Sequence, residues 1–303
     1  MTVGASTRRA TPGLPAGSGH PRRPRRRIGG VGVREAMLRY LLLALVLVLT
    51  VGPFLWELST SLKGAGEDIY TATLQLVPSQ PTLDNYAQVT DAIPVLRYIA
   101  NSMLVAVIDV AGNVVFATLA GFALALLSFR GRTVVLGVVL ATLVLPAEVT
   151  IVSQYVLVRS LGLADTLLGV ALPSMIGAIN VLLMYNAFRA LPPEVDQAAV
   201  IDGANAWQRL WFVALPTVRG TLAVVAIFSF IQAWDDFLWP LIVLTTPERF
   251  TLTVGLQYLS GTFTNDPRMV AAGTMIAFIP IAVIFAVLQR YFFKGVEEGG
   301  VKG

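Results

Sequence analysis

The sequence predicts an all-α membrane protein of six transmembrane helices, with a helical hairpin at the membrane surface between the fourth and fifth. Three observations predict it. Of 303 residues, 55% are hydrophobic and 13% charged, against roughly 25% charged in a soluble domain, and the mean hydropathy is +0.72. A soluble core does not absorb that apolar surplus, so a bilayer is the expected solvent. Apolar runs of about 20 residues, the length that crosses a hydrocarbon layer as a helix, recur along the chain. The runs are continuous, unlike the alternating segments of a membrane β-barrel, and helices satisfy their own backbone hydrogen bonds in lipid.

Residues 1–36 include RRATPGLPAGSGHPRRPRRR, rich in Pro, Gly and Arg and without apolar periodicity. They read as a disordered basic cytoplasmic tail. The apolar run that follows is too long for a signal-peptide h-region and no small-residue cleavage site follows it, so the tail is expected to stay attached. Spans are expected at about 37–57, 99–127, 133–157, 167–188, 218–241 and 269–292. Lys and Arg orient them. With the tail inside, Arg130, Arg132, Arg189, Arg209, Arg219, Arg290, Lys294 and Lys302 also fall inside. Only Lys63, Arg97, Arg159, Arg249 and Arg268 fall outside. Both termini are thus expected in the cytoplasm, and the basicity reads as membrane orientation rather than nucleic-acid binding. Two outer segments, 63–98 and 245–268, read either as connectors or, as their size favours, as a surface that meets something outside. In the first, Thr82 is a candidate N-cap and Pro94 a helix breaker.

The chain has no cysteine, and its one histidine, His20, lies in the tail. This excludes a disulfide framework, a thiolate metal site and a Cys nucleophile, and leaves no His-centred site. No GxxxxGK[ST] phosphate loop is present.

Between the fourth and fifth spans lies EVDQAAVIDGANAWQRLWFVALP, residues 194–216. Pro192-Pro193 starts a helix, and Glu194 and Asp196 suit its positive N-terminus. Ala198 and Ala199 keep the next turn narrow, and Gly203 can take a left-handed cap. A second short helix runs from Asn205, a candidate N-cap, to about Ala214, with Trp207, Leu210 and Trp211 at helical spacing. Two readings stand: an interfacial helix with its tryptophans among lipid headgroups, and a knob that enters a partner's groove.

Acids inside spans are costly and point to function. Asp109 lies in span two, Glu148 after Pro146 in span three, and Asp235 and Asp236 late in span five, before Trp239-Pro240. At about 1.5 Å per residue, Glu148 and Asp235 stand at similar depth. One reading pairs these acids with polar groups at helix breaks, Asn113 serving Asp109. The other makes them, with Gln154, Asn180, Trp234 and Trp239, the polar lining of a translocation path. Gly121 shares a face with Ala117 and Ala125, a small-residue packing stripe.

The hairpin closely resembles the EAA loop of ABC-importer permeases. Glu194, Gln197, Ala198, Ala199, Asp202, Gly203, Ala204, Leu215 and Pro216 fall on its pattern. Gln197 departs from it, standing where that family usually has Glu. PTLDNYAQV, LPAEVTIVSQYVLVRSLGLADTLLGVALP, AWDDFLWPLIVL, AAGTMIAFIPIAVIFAVLQRYFFKG and the terminal GGVKG resemble, in order, segments of the maltose-type carbohydrate importers. The resemblance runs from about residue 37 onward. It implies a type I importer permease fold and no enzymatic chemistry or cofactor in this chain, with ATP and Mg used by a partner. It also implies two cytoplasmic ATPase subunits docked on the hairpin as coupling helix, a second permease subunit, an extracytoplasmic solute-binding protein and a sugar as cargo. The competing function is a secondary transporter driven by an ion gradient through Asp109 or Asp235.

Overall fold

The structure, a computed structural model, describes residues 33–69, 75–263 and 266–300. The tail before Val33, with His20, and the last three residues of GGVKG lie outside them. Contacts divide the chain into two units, Met1–Val51 and Gly52–Gly303. What is described of the first is the N-terminal part of α1 (Val33–Ser61). It starts within the stretch assigned to the tail, and Leu38, Leu41, Leu45 and Leu49 are exposed along it, as a lipid-facing helix requires.

In the second unit the regular structure is helical throughout the described residues. Thr82 Oγ1 accepts the Asp84 amide at 3.1 Å where α2 (Asp84–Ala92) begins. The helix stops at Ile93, whose backbone is extended, because the ring of Pro94 disfavours the helical conformation in the residue before it. α3 (Val95–Leu126) then runs unbroken. Its freed C-terminal carbonyls are met by Arg132, which donates to Ala125 O at 3.1 Å.

The expected span over 133–157 is realised as two helices, α4 (Arg132–Thr142) and α5 (Ala147–Ser160). Pro146 lacks the N–H that would carry the helix through, and the chain turns at Leu143–Pro146. The fourth span is also broken. α6 (Leu167–Ala171) is capped by Thr166, passes through a 3-10 turn at Leu172–Ser174, and meets α7 (Ala178–Arg189) at 43°. α8 (Pro193–Ile201) and α9 (Ala206–Gln208) form the hairpin, which continues as a π-helical turn Arg209–Ala214 and α10 (Leu215–Thr217). An 83° bend leads into α11 (Arg219–Asp235). The helix breaks again at Asp236-Phe237 before α12 (Leu238–Val243). α13 (Leu252–Tyr258) and α14 (Pro267–Gly300) complete the described chain. Among the described residues, α1, α3 and α14 are each long and apolar enough to cross a membrane, and such spans number up to five if each bent pair counts as one.

α3 is the axis of the second unit, packed on α7 and α11, and α11 packs on α14. Gly121 permits the closest approach. A Cβ there would stand 2.6 Å from Met184 Cβ and 2.8 Å from the Tyr185 backbone nitrogen. Since a backbone cannot swing aside as a flexible side chain does, Gly121→Ala is expected to cost about 1–3 kcal/mol. Thermal unfolding in detergent checks this against Gly52→Ala, where nothing lies within 4 Å.

The buried apolar residues form two clusters along α3. One gathers Val105, Ala106, Trp234 and Trp239 with α13 and α14. The other gathers Ala117, Phe122, Met184, Phe188 and Val225. Between them on α3 sits Asn113, 1% exposed. Its side chain donates to Ser174 O (2.7 Å) and Asp109 O (3.1 Å) and accepts from Gly177 N (2.7 Å) and Asn180 Nδ2 (2.9 Å). Asn180 donates on to Ser229 Oγ at 3.0 Å. The α6–α7 break frees backbone groups with no water to meet them, and one amide side chain meets them.

Asp165 ties the 161–166 loop to the segment after α12. Its carboxylate accepts the Thr245 and Thr246 amides at 2.9 and 3.0 Å, the Thr246 hydroxyl at 2.5 Å and Arg249 Nη1 at 2.9 Å. Desolvation pushes its pKa up. The Thr246 hydroxyl, the two amides and the Arg249 charge outweigh that and hold it down at about 2, from 3.8. A depressed folded-state value stabilises the fold above the unfolded value and loses that stability as pH falls. The clamp is therefore expected to hold at all pH above about 4 and to weaken between about pH 4 and 2. Acid titration of thermal stability checks it, with Asp165→Asn, which lacks the charge, showing a flatter slope there.

Candidate functional site

Two regions carry the predicted functional residues. The first is the hairpin. Gly203 has φ +80°; its N–H reaches Val200 O at 3.0 Å and the Ala204 N–H reaches Ala199 O at 2.9 Å. This pair of bonds is the Schellman ending of a helix, which needs the left-handed residue glycine supplies. Asn205 caps the second helix in a reciprocal box. Its Oδ1 accepts the Gln208 amide at 3.0 Å, and Gln208 Oε1 accepts the Asn205 amide at 2.8 Å. The two halves are locked by a forked ion pair, Arg209 Nε to Asp196 Oδ1 at 2.9 Å and Nη2 to Oδ2 at 2.5 Å, with side chains 12% and 19% exposed. Arg209 also reaches Leu126 O, at the end of α3, at 3.5 Å.

The hairpin is thus rigid within and bare outside. Glu194, Gln197, Ala198, Asp202 and Gly203 are exposed, and Ala199 and Ala204 are half-buried in the turn. Val200, Ile201, Trp207, Trp211 and Phe212 add exposed apolar surface, while Leu210 turns inward at 3% exposure. The tryptophans and Leu210 share a spacing but not an environment. Leu210 and Trp211 lie within the π-helical turn at Arg209–Ala214, which leads through α10 to α11.

The second region is a cavity of about 550 Å³ between α3, α5, the α6–α7 break and the α11–α12 break. Its lining brings together five of the residues expected along a path: Glu148, Gln154, Asp235, Asp236 and Trp239, with Asp109. Glu148 and Asp235, placed at one depth by counting residues, do meet the same space. Glu148 and Asp235 are exposed at the mouth, and Asp236 is half-buried. Asp236 Oδ1 accepts from the Trp239 amide at 3.4 Å, and Trp239 donates its indole N–H to Val170 O at 3.1 Å. Two expected residues are not in the lining. Trp234 is 2% exposed and donates to Ala277 O at 3.2 Å, and Asn180 is fully buried in the junction with Asn113. Both spend their side-chain N–H groups on backbone or core partners.

Asp109 departs from the pairing expected with Asn113. Asn113 binds the Asp109 carbonyl, not its carboxylate. Both carboxylate oxygens are sealed from solvent. Gln232 and Ser174 also line the cavity. Gln232 stands three residues before Asp235, one helical turn, a spacing that marks it in the sequence. Ser174 is legible only once the α6–α7 break is seen.

Residues 113–298, more than half of the chain, match the family described as binding-protein-dependent transport system inner membrane component. The chain is 34% identical over 232 residues to the arabinooligosaccharides transport system permease protein AraQ of Halalkalibacterium halodurans, covering 76% of this chain and 83% of that protein. It is 31% identical over 273 residues to the galactooligosaccharides transport system permease protein GanQ of Bacillus subtilis, covering 88% and 95%. Its fold superposes with a TM-score of 0.73, at 25% identity, on a chain of a bacterial ABC transporter involved in the import of the acidic polysaccharide alginate, covering 85% of this chain and 96% of that one. Members of this family act with a substrate-binding protein and an ABC ATPase. The helical fold, the family match and the relatives agree: this chain belongs to the inner-membrane permease components of binding-protein-dependent ABC importers, and is a transport subunit rather than an enzyme.

Proposed function

We propose that this chain is one of two permease subunits that pass a carbohydrate inward across the cytoplasmic membrane, with α8–α10 as the dock for an ATPase subunit. The observation that carries the reading is the hairpin. Its turn is capped on both sides, by Gly203 and Asn205, it is locked by Arg209 and Asp196, and it still presents its narrow Ala/Gly turn and apolar side chains outward. A rigid knob of this kind transmits a push; a headgroup-bound helix needs no internal lock. The excess of Lys and Arg in the short loops on one side supports a cytoplasmic position for this knob and for both termini. In this reading the broken pairs α4–α5, α6–α7 and α11–α12 each count as one span and join α1, α3 and α14 to make six. Two ATPase subunits, a second permease and an extracytoplasmic binding protein complete the assembly, and the outer segments around α2 and α13 face that binding protein.

In this mechanism the closing ATPase pair moves the hairpin. The movement passes through the Arg209 contact at the end of α3 and through the bend into α11. The cavity beside α3 and α11 then opens outward to receive the solute. Oligosaccharide cargoes named for AraQ and GanQ support a sugar, and the amide and carboxylate groups of the cavity suit its hydroxyls.

The test is gentle purification of the native complex. Wild type is expected to retain an ATP-hydrolysing subunit, and Gly203→Pro to lose it, because proline cannot adopt φ +80°. A wild-type chain that purifies alone and moves solute on an ion gradient would overturn the reading.

A further inference from the structure

The lock between Arg209 and Asp196 accounts for one side of the hairpin and leaves another unexplained. α9, the π-helical turn and α10 form one helix, Ala206–Thr217, set at 83° to α11. Where α11 crosses a bilayer, a helix at that angle lies almost in the plane of its surface. Leu210 and Ala214 turn into the bundle, buried with Phe122 of α3 and Phe188 of α7. Arg209 reaches sideways to Asp196 on α8. Trp207 and Trp211 take neither direction. They stand one turn apart, 60% and 57% exposed. Each is two residues from Arg209, a spacing that sets side chains on different sides of a helix. The two indoles therefore form a flank turned away from α8.

We infer that Trp207 and Trp211 seat this helix in the cytoplasmic headgroup layer of the bilayer. The hairpin is then divided: the α8 turn meets the ATPase subunit and the aromatic flank meets lipid. The inference rests on the reading of α11 as a span whose hairpin end is cytoplasmic. Three observations carry it. The helix lies across the direction of α11, with its inner side on the bundle and its C-terminal end running into α11, so the flank sits at the membrane edge. The two sides of the hairpin differ in chemistry. The exposed apolar groups of α8 are the aliphatic Val195, Val200 and Ile201, whereas the flank is indole. An indole joins an apolar body to a polar N–H, the combination enriched where hydrocarbon meets water, and tryptophan is otherwise among the more buried residues. A helix seated in this way gives the hairpin a fulcrum. A push on α8 turns it about the lipid-held flank, toward the end of α3 and the bend into α11, and does not drive the whole hairpin into the membrane.

The test is the depth of nitroxide labels in the assembled complex, held in nanodiscs of phosphatidylethanolamine and phosphatidylglycerol. The chain has no cysteine, so Trp207→Cys and Trp211→Cys each carry a single label on this subunit. Each leaves the other indole in place, and the wild-type complex gives the background of its partners. Leu43→Cys, exposed on α1, is the lipid standard, and Ile201→Cys, 84% exposed on the turn, is the aqueous standard once the ATPase subunit is stripped. Labels at 207 and 211 are expected to collide more with oxygen, which enters lipid, than with a water-soluble nickel chelate, as at position 43. In the unlabelled complex, brominated lipid is expected to quench more fluorescence from wild type than from the double variant Trp207→Phe, Trp211→Phe. Labels that favour the chelate would leave the flank in water, and labels reached by neither would put it under protein. Either result, or equal quenching in the two complexes, overturns the inference. Shielding of position 201 when the ATPase subunit is restored reports the dock separately, and its absence would overturn that reading whatever happens at the tryptophans.

Discussion

Arg209→Ala is expected to uncouple ATP hydrolysis from transport while the membrane helices stay folded. The guanidinium makes a two-pronged pair with Asp196 and reaches the end of α3. These are charge-assisted bonds in a pair mostly shielded from water. Their loss is expected to cost about 1.5–3 kcal/mol, a tenfold or greater fall in the fraction of hairpins correctly held. The ATPase would still find the Ala/Gly turn, so co-purification is expected to persist, weakened. Solute-stimulated hydrolysis is expected to fall about tenfold or more. Arg209→Lys restores the charge but not the planar fork and should recover only part. A double-mutant cycle with Asp196→Ala separates the pair from the α3 contact: equal losses in single and double variants place the effect in the pair. Unchanged stimulation in Arg209→Ala would mean the hairpin transmits nothing through this link.

The second large effect is expected at Asn113. Asn113→Leu keeps the branched skeleton, with bulkier methyls at its tips, but strips four hydrogen bonds from a site 1% exposed. It leaves the Gly177 amide and the Ser174 carbonyl without their partner, and the Asn180 side chain with Ser229 alone. At about 1–3 kcal/mol for each buried group left unpaired, and with incomplete additivity, the variant is expected to lose about 3–5 kcal/mol. Its thermal midpoint in detergent is expected to fall by roughly 6–15 °C. Ser229→Ala removes only the terminal bond to Asn180 and should cost about 1 kcal/mol. A small loss in Asn113→Leu would show that the α6–α7 break is satisfied by other groups, and the junction would not be what separates the two apolar clusters.

Much of this molecule was legible because it follows from local rules. Continuous apolar runs require helices in lipid. Pro94 ends α2 by sterics alone, and Gly203 ends α8 because the next residue must be left-handed. Asn205 caps the second helix of the hairpin with its own side chain. Each needs only neighbours in the chain. The grouping of Glu148 with Asp235 was also legible, since counting helical rise along two spans places them at one depth.

What remained hidden depends on which face of a helix meets which neighbour. Trp234 and Asn180 carry the same chemistry as residues of a sugar path, and only packing shows them committed to Ala277 and Asn113. Asn113 stands one turn from Asp109, as a partner would, yet it serves the backbone of a break some sixty positions away. The break over Leu143–Pro146 and the pairing of Arg209 with Asp196 likewise need the folded chain. The sequence by itself determined the solvent, the helices, their caps and the hairpin, since periodicity, composition and turn chemistry are short-range. Tertiary structure alone decided which polar groups are spent on one another and which are left facing a cavity, because that allocation is settled between helices distant in sequence.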